Sequence, residues 1–155
     1  MKIEKLTKEA FAPYGDVVEI EGAQHYAINQ GFAERFNNIA NIDVSTEGGE
    51  VNVSIFTAIP RPTPIAIKLM ERHPLGTQLF YPLQNEDWLV LVCADPLRAA
   101  SYRLFQASGK QGVNYGRNIW HHPLLVHSES RFLIVDRKGA GHNLQEITLP
   151  QIMAI

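Results

Sequence analysis

Apolar and polar residues alternate with a period of two through much of the chain. In "VNVSIFTAI", Val51, Val53, Ile55 and Thr57 fall on one side and Asn52 and Ser54 on the other, the pattern of a half-buried strand. "PIAIKLMERH" begins the same way, with Ile65, Ile67 and Leu69 on one face. Read as one unbroken strand, it carries Glu71 and His73 on that face too. Further short runs, "TQLFYPL", "DWLVLVCA", "SYRLFQA", "RFLIVD" and "LQEITL", are rich in β-branched or aromatic residues and bounded by Pro, Gly, Asn or Asp. Turns are expected at "PLQNED", "ASGKQG" and "RKGAGHN". Thr7 is placed to cap a short helix over "KEAFA", which Pro13 and Gly15 then end. Many short strands with close turn signals imply a β-sandwich or a closed barrel. No helical segment is long enough for the crossovers of a doubly wound fold.

The chain of 155 residues fits one domain, residues 1–155, without repeats or an internal linker. A domain of that length buries roughly two-thirds of the surface its unfolded chain exposes, so it needs no disulfide staples. Its single cysteine, Cys93, lies inside an apolar run and suits a reducing, cytoplasmic setting. "MKIEKLTKEAF" lacks the apolar core and small-residue site of a signal peptide, and "WLVLVCA" is too short to span a bilayer. A net charge of −2 with no basic block argues against nucleic acid or an acidic membrane as partner.

Two stretches carry candidate chemistry. In "ERHPLGTQ", Glu71, His73 and Gln78 are potential ligands or proton-transfer groups at a strand end, where Pro74 stops pairing and Gly76 permits a bulge. In "GVNYGRNIWHHPLL", Gly112 and Gly116 mark turns and Asn118 tolerates a left-handed backbone. Extended chain forces His121 and His122 to opposite faces, His121 with Ile119 and His122 with Trp120. Only one imidazole therefore enters a given cavity, and parity does not say which. The plainer assignment is one packed, hydrogen-bonded histidine and one exposed one. Glu71 and His73 likewise suit surface or structural duty.

Together "ERHPLGTQLFYPL", "GVNYGRNIWHHPLL" and "FLIVDRKGAGHN" resemble the ureidoglycolate lyases of allantoin degradation, and "YGDVVE" fits the N-terminal part. The resemblance implies a mainly β, cupin-type jelly-roll β-barrel with a few short helices, usually homodimeric, that converts (S)-ureidoglycolate to glyoxylate and urea. In the wider cupin pattern, His73, Gln78 and His121 match positions used for metal, and Glu71 takes the slot of the first histidine. Gln78 stands where cupins have a glutamate, so the ligand set is weakened. The resemblance also implies Ni2+ or another divalent metal as cofactor, none being firmly required.

Eliminating urea requires the substrate hydroxyl to lose a proton, the departing nitrogen to gain one, and the carboxylate to be held. Histidine serves the proton steps because its ordinary pKa of about 6.5 lies near working pH. His73 and His121 are the expected pair, with His122 as the other candidate and Glu71 as an alternative base. Arg72 and Arg117 flank the histidine blocks and are candidates for the carboxylate. Tyr115 and Gln78 are candidates for the ureido group, and Lys68 is an outlying one. Arg137 is expected to be structural, paired with Asp136 or a neighbouring acid. A ureidoglycolate amidohydrolase releasing ammonia and a non-catalytic cupin binding a small acid are the competing readings. The surplus imidazole beside Trp120 is a candidate for a subunit contact.

Overall fold

The runs of β-branched and aromatic residues do form strands. A computed structural model describes residues 1–155 and contains fourteen of them. In order they are β1 (Ile3–Lys5), β2 (Gly15–Val18), β3 (Gln24–Ile28), β4 (Ala33–Asn37), β5 (Glu50–Ala58), β6 (Ala66–Arg72), β7 (Gln78–Pro82), β8 (Trp88–Cys93), β9 (Tyr102–Ala107), β10 (Gly112–Tyr115), β11 (Trp120–His121), β12 (Leu125–Val126), β13 (Ser130–Lys138) and β14 (Gln145–Ala154). One short helix, α1 (Lys8–Phe11), precedes β2. Its first turn is held by Thr7, whose Oγ1 accepts from the Ala10 N–H at 3.2 Å. No helix is long and apolar enough to cross a membrane.

The strands make two main sheets. One runs β1-β9-β8-β11-β6-β14, with β12 also on β8; the other runs β2-β10-β7-β13-β5. Strands β3 and β4 form a separate hairpin. The mainly β, jelly-roll architecture expected from the sequence is present as two sheets facing one another, each hydrogen-bonded within itself rather than joined into the closed barrel that was also expected. Between them lies a core of Phe11, Phe80, Trp88, Val90, Val92, Phe105, Val113, Phe132 and Ile134. Trp88 meets Phe132 edge-on with centroids 4.8 Å apart. A second cluster, including Ile67, Met70, Leu89, Leu91, Cys93 and Leu104, covers the other face of the β8 sheet. Strand β8 is buried on both faces, which is why its sequence reads as a continuous apolar run rather than an alternating one.

Two strands depart from the faces their alternation suggested. On β5 the apolar row points outward: Val51, Val53 and Ile55 are 51%, 63% and 54% exposed. The inward positions are Asn52, which donates to Asp136 Oδ1 at 2.9 Å, and Ser54 and Phe56 opposite Ile134 and Phe132. Alternation defines a face but not the side it takes, and Phe132 and Ile134 of β13 supply the core there instead. On β6, Ile67 and Met70 both enter the second cluster although three residues apart, so the parity shifts between them. The pairing of β14 with β6 slips at the same place, between Thr148 and Met153. Glu71 thus parts company with Ile65 and Ile67 and faces the interior.

Candidate active site

The interior position of Glu71 follows from register. His121 stands opposite Glu71 on β6 and opposite Val92 on β8, and directly paired residues share a face. Val92 belongs to the core between the sheets, so Glu71 and His121 point there too. Trp120 pairs with Cys93 and takes the other face. His73 follows the end of β6. Its carbonyl accepts from the Asn118 N–H at 3.0 Å, and Asn118 is in the left-handed region at φ 63°. Two segments distant in sequence are tied at the site by that one bond.

The rings of His73 and His121 lie 5.3 Å apart, centroid to centroid, and Tyr115 stacks on His121 at 4.1 Å and 10°. His73 Nδ1–H donates to the Asn143 carbonyl at 2.7 Å and His121 Nδ1–H to the Ile119 carbonyl at 2.9 Å. A carbonyl partner fixes the proton on Nδ1 and leaves the Nε2 lone pair free. Both Nε2 atoms are buried without a hydrogen-bond partner. Glu71 Oε1 lies 3.5 Å from His121 Nε2, and one ligand atom from each of Glu71, His73 and His121 falls within 4.8 Å of the others. Three lone-pair groups therefore converge with nothing positive among them. A shared proton or a divalent cation completes such an arrangement.

Burial pushes the Glu71 carboxyl up, but a hydrogen bond and positive charge from the His121 ring in its protonated form, with smaller help from charge on His73 and His122, more than offset this and hold it below the usual carboxylate range. Burial pushes His73 down, and His121 adds to that; the Asn143 carbonyl, Glu71 and Asp136 oppose it without reversing it. Burial pushes the Tyr115 phenol up, and Glu71 adds to the effect, so that ring stays neutral. At neutral pH the site thus holds an ionised carboxylate beside a neutral His73.

Glu71 and Gln78 open onto a cavity of about 690 Å³ at the β5 end of the jelly roll. Its walls are Ile55, Phe56 and Phe80 from the β7 sheet side, Pro123 and Leu124 opposite, and the segment 59–62. Gln78 pairs with Tyr115 across β7 and β10, and its Oε1 is buried without a partner.

A family model described as ureidoglycolate lyase matches residues 1–155. Ureidoglycolate lyase 1 of Rhizobium meliloti (strain 1021) is 48% identical over 157 residues, covering 100% of this chain and 92% of that protein. Ureidoglycolate lyase of Burkholderia cepacia is 50% identical over 152 residues, covering 96% of this chain and 86% of that one. The chain belongs to the ureidoglycolate lyase family. The formate complex of Lactobacillus farciminis oxalate decarboxylase also shows similarity, with TM-score 0.43 and 15% identity over 86% of this chain and 33% of that one.

In this member of the ureidoglycolate lyase family, the structure brings together Glu71, His73, Gln78, Tyr115 and His121 from the residues singled out in the sequence. His122 takes the opposite face. It is buried within the chain rather than left for a subunit contact, with Nδ1–H on the Pro123 carbonyl at 2.7 Å. It borders a separate hollow with Arg61, Lys68 and Leu69. Neither flanking arginine lines the Glu71 cavity. The Arg72 guanidinium lies 4.5 Å from the centre of the Trp120 ring and donates to Gln145 Oε1 at 2.8 Å, on the outer side of β6. Arg117 is exposed and pairs with Asp43 at 3.2 Å. Arg137 is structural as expected, but its partners are the carbonyls of Thr46, Glu47 and Ala140 rather than Asp136, which is engaged by Asn52. Sequence reading missed Asn143, which positions His73 and also accepts from the Leu75 N–H at 2.7 Å through its side chain. The only signal for it was its place in a Gly-rich turn.

The donor set fits a divalent metal. Imidazole nitrogens and a carboxylate suit nickel, zinc or manganese, and the carbonyls of Asn143 and Ile119, which accept from the Nδ1–H groups, already orient both Nε2 lone pairs.

Proposed function

We propose that the protein converts ureidoglycolate to glyoxylate and urea by acid–base elimination within the Glu71 cavity. What carries this reading, beyond family membership, is the convergence of Glu71, His73 and His121 beneath an open cavity sized for a small ligand. The substrate hydroxyl faces Glu71, whose ionised carboxylate accepts its proton. The proton passes between Glu71 Oε1 and His121 Nε2, 3.5 Å apart. As the carbonyl of glyoxylate forms, the carbon–nitrogen bond breaks and the nitrogen takes that proton to leave as urea. Tyr115 holds the His121 ring in plane, and the Asn143 carbonyl holds His73. Gln78 offers its amide to the ureido group from the same wall.

We further propose that Glu71, His73 and His121 hold a divalent ion, nickel being the one implied by resemblance, with the Gln78 amide oxygen nearby. Such an ion supplies Lewis acidity toward the hydroxyl. Equilibrium dialysis against Ni2+ should give one ion per chain in the wild type and none in His73→Ala. The protein is proposed to act as a single domain, in the cytoplasm, as a homodimer; the exposed row on edge strand β5 supports the last.

The products separate this reading from its rivals. With ureidoglycolate as substrate, urea and glyoxylate should appear in equal amounts. Ammonia in place of urea makes the protein an amidohydrolase, and no acceleration over the spontaneous rate makes it a binding protein.

A further inference from the structure

The carboxylate of the proposed substrate needs a cation, and the arginines that flank the histidine motifs are turned elsewhere. One cationic side chain does line the Glu71 cavity: Arg61. It sits in "IPRPTP", the connection from β5 to β6. Three prolines in six residues fix φ at alternate positions, so this exposed strap is stiff and presents Arg61 with little backbone freedom to lose. Arg61 takes part in none of the six ion pairs of the molecule. It stands on the ridge between the Glu71 cavity and the neighbouring hollow of Lys68 and His122.

The charge pattern inside the cavity gives that position a use. Its other ionisable lining group is Glu71. An anionic substrate entering with its carboxylate toward Glu71 presents the wrong group to the side chain that is to accept the hydroxyl proton. Turned the other way, the carboxylate meets an unpaired guanidinium, and the carbinol carbon lies toward Glu71.

We propose that Arg61 is the specificity-determining residue that anchors the substrate carboxylate at the cavity mouth. The proposal rests on the reaction given above, but the carboxylate preference can be read without turnover. The guanidinium fork makes two parallel hydrogen bonds to a carboxylate; lysine replaces them with a single point charge.

Arg61→Gln should raise KM for ureidoglycolate by roughly 10- to 100-fold, the worth of a charged hydrogen-bonded pair, and leave kcat within about threefold. Arg61→Lys should recover part of the loss, and Lys68→Gln, across the ridge, should change neither constant. Calorimetric titration with glyoxylate should show the same weakening in Arg61→Gln, whereas the neutral analogue glycolamide should bind both proteins alike. Equal glyoxylate affinity in wild type and Arg61→Gln, no glyoxylate binding by the wild type, or a loss that follows Lys68 instead would overturn the proposal. A wild-type protein that releases no urea but binds glyoxylate through Arg61 would defeat the assigned reaction and leave the anchor standing.

Discussion

At the scale of the residue, neighbours with the same side chain have opposite roles because a strand alternates. His121 enters the interior and meets Glu71; His122 is buried on the far face at 4% exposure. Burial pushes His122 down to about 4, Arg61 and His121 add to that, and the Pro123 carbonyl and Glu71 oppose it. The folded chain thus keeps the ring neutral, whereas the unfolded chain protonates near the ordinary value of about 6.5. Above that value the group leaves stability untouched. As pH falls from about 6.5 to about 4 the unfolded state binds the extra proton and stability drops, by up to about 3 kcal/mol, and then levels off. His73 is depressed in the same direction and adds to the loss. Urea midpoints at pH 7.5 and 5.0 should therefore differ less in His122→Gln than in the wild type, with His73 accounting for the remainder. An identical acid loss in both proteins would mean that His122 is not held neutral. Sequence parity stated that one ring of the pair faces inward; choosing it required the pairing of His121 with Val92, a contact nearly thirty residues away in the chain.

At the scale of the element, the runs read as strands became β5 to β9, β13 and β14, and the three turn segments fall between β7 and β8, β9 and β10, and β13 and β14. The hairpin of β3 and β4 went unread because its five-residue strands are largely polar and exposed, and β11 and β12 because two residues are too few to alternate. The face of β5 and the parity shift in β6 also escaped, because both depend on which partner strand supplies the core. Strand β10 shows how an element positions the site. It carries Tyr115 under His121, and its other end is Gly112, where an added Cβ would lie 2.4 Å from the Phe80 carbonyl oxygen. Backbone cannot yield there as a flexible side chain would. Gly112→Ala should cost about 1–3 kcal/mol in denaturant unfolding as β7 is forced from β10. An unchanged midpoint would show that the sheet absorbs the methyl group.

At the scale of the molecule, two sheets facing one another leave a cavity at one end, and the residues that line it come from both. Glu71 belongs to one sheet, Gln78 and Phe80 to the other, and Arg61 to the strap between β5 and β6. The histidine motifs were legible because they are contiguous; Arg61 and Asn143 were not, because only the closed fold places them beside those motifs. The exposed row of Val51, Val53 and Ile55 on an edge strand with a single charge, Glu50, is poorly protected against pairing. If a second copy covers it, Val53→Lys should shift the mass measured by light scattering from two chains toward one, whereas a wild type already of one chain would remove the homodimer from the account.

Glu71→Gln keeps the shape of the side chain and removes its charge, so its turnover reads the contribution of the carboxylate alone. Ureidoglycolate turnover, followed by glyoxylate release, should fall by roughly 10²- to 10⁴-fold, the usual worth of general acid–base help, while thermal unfolding stays close to wild type. Full turnover in that variant would contradict the assignment of the chemistry to the Glu71, His73 and His121 cluster.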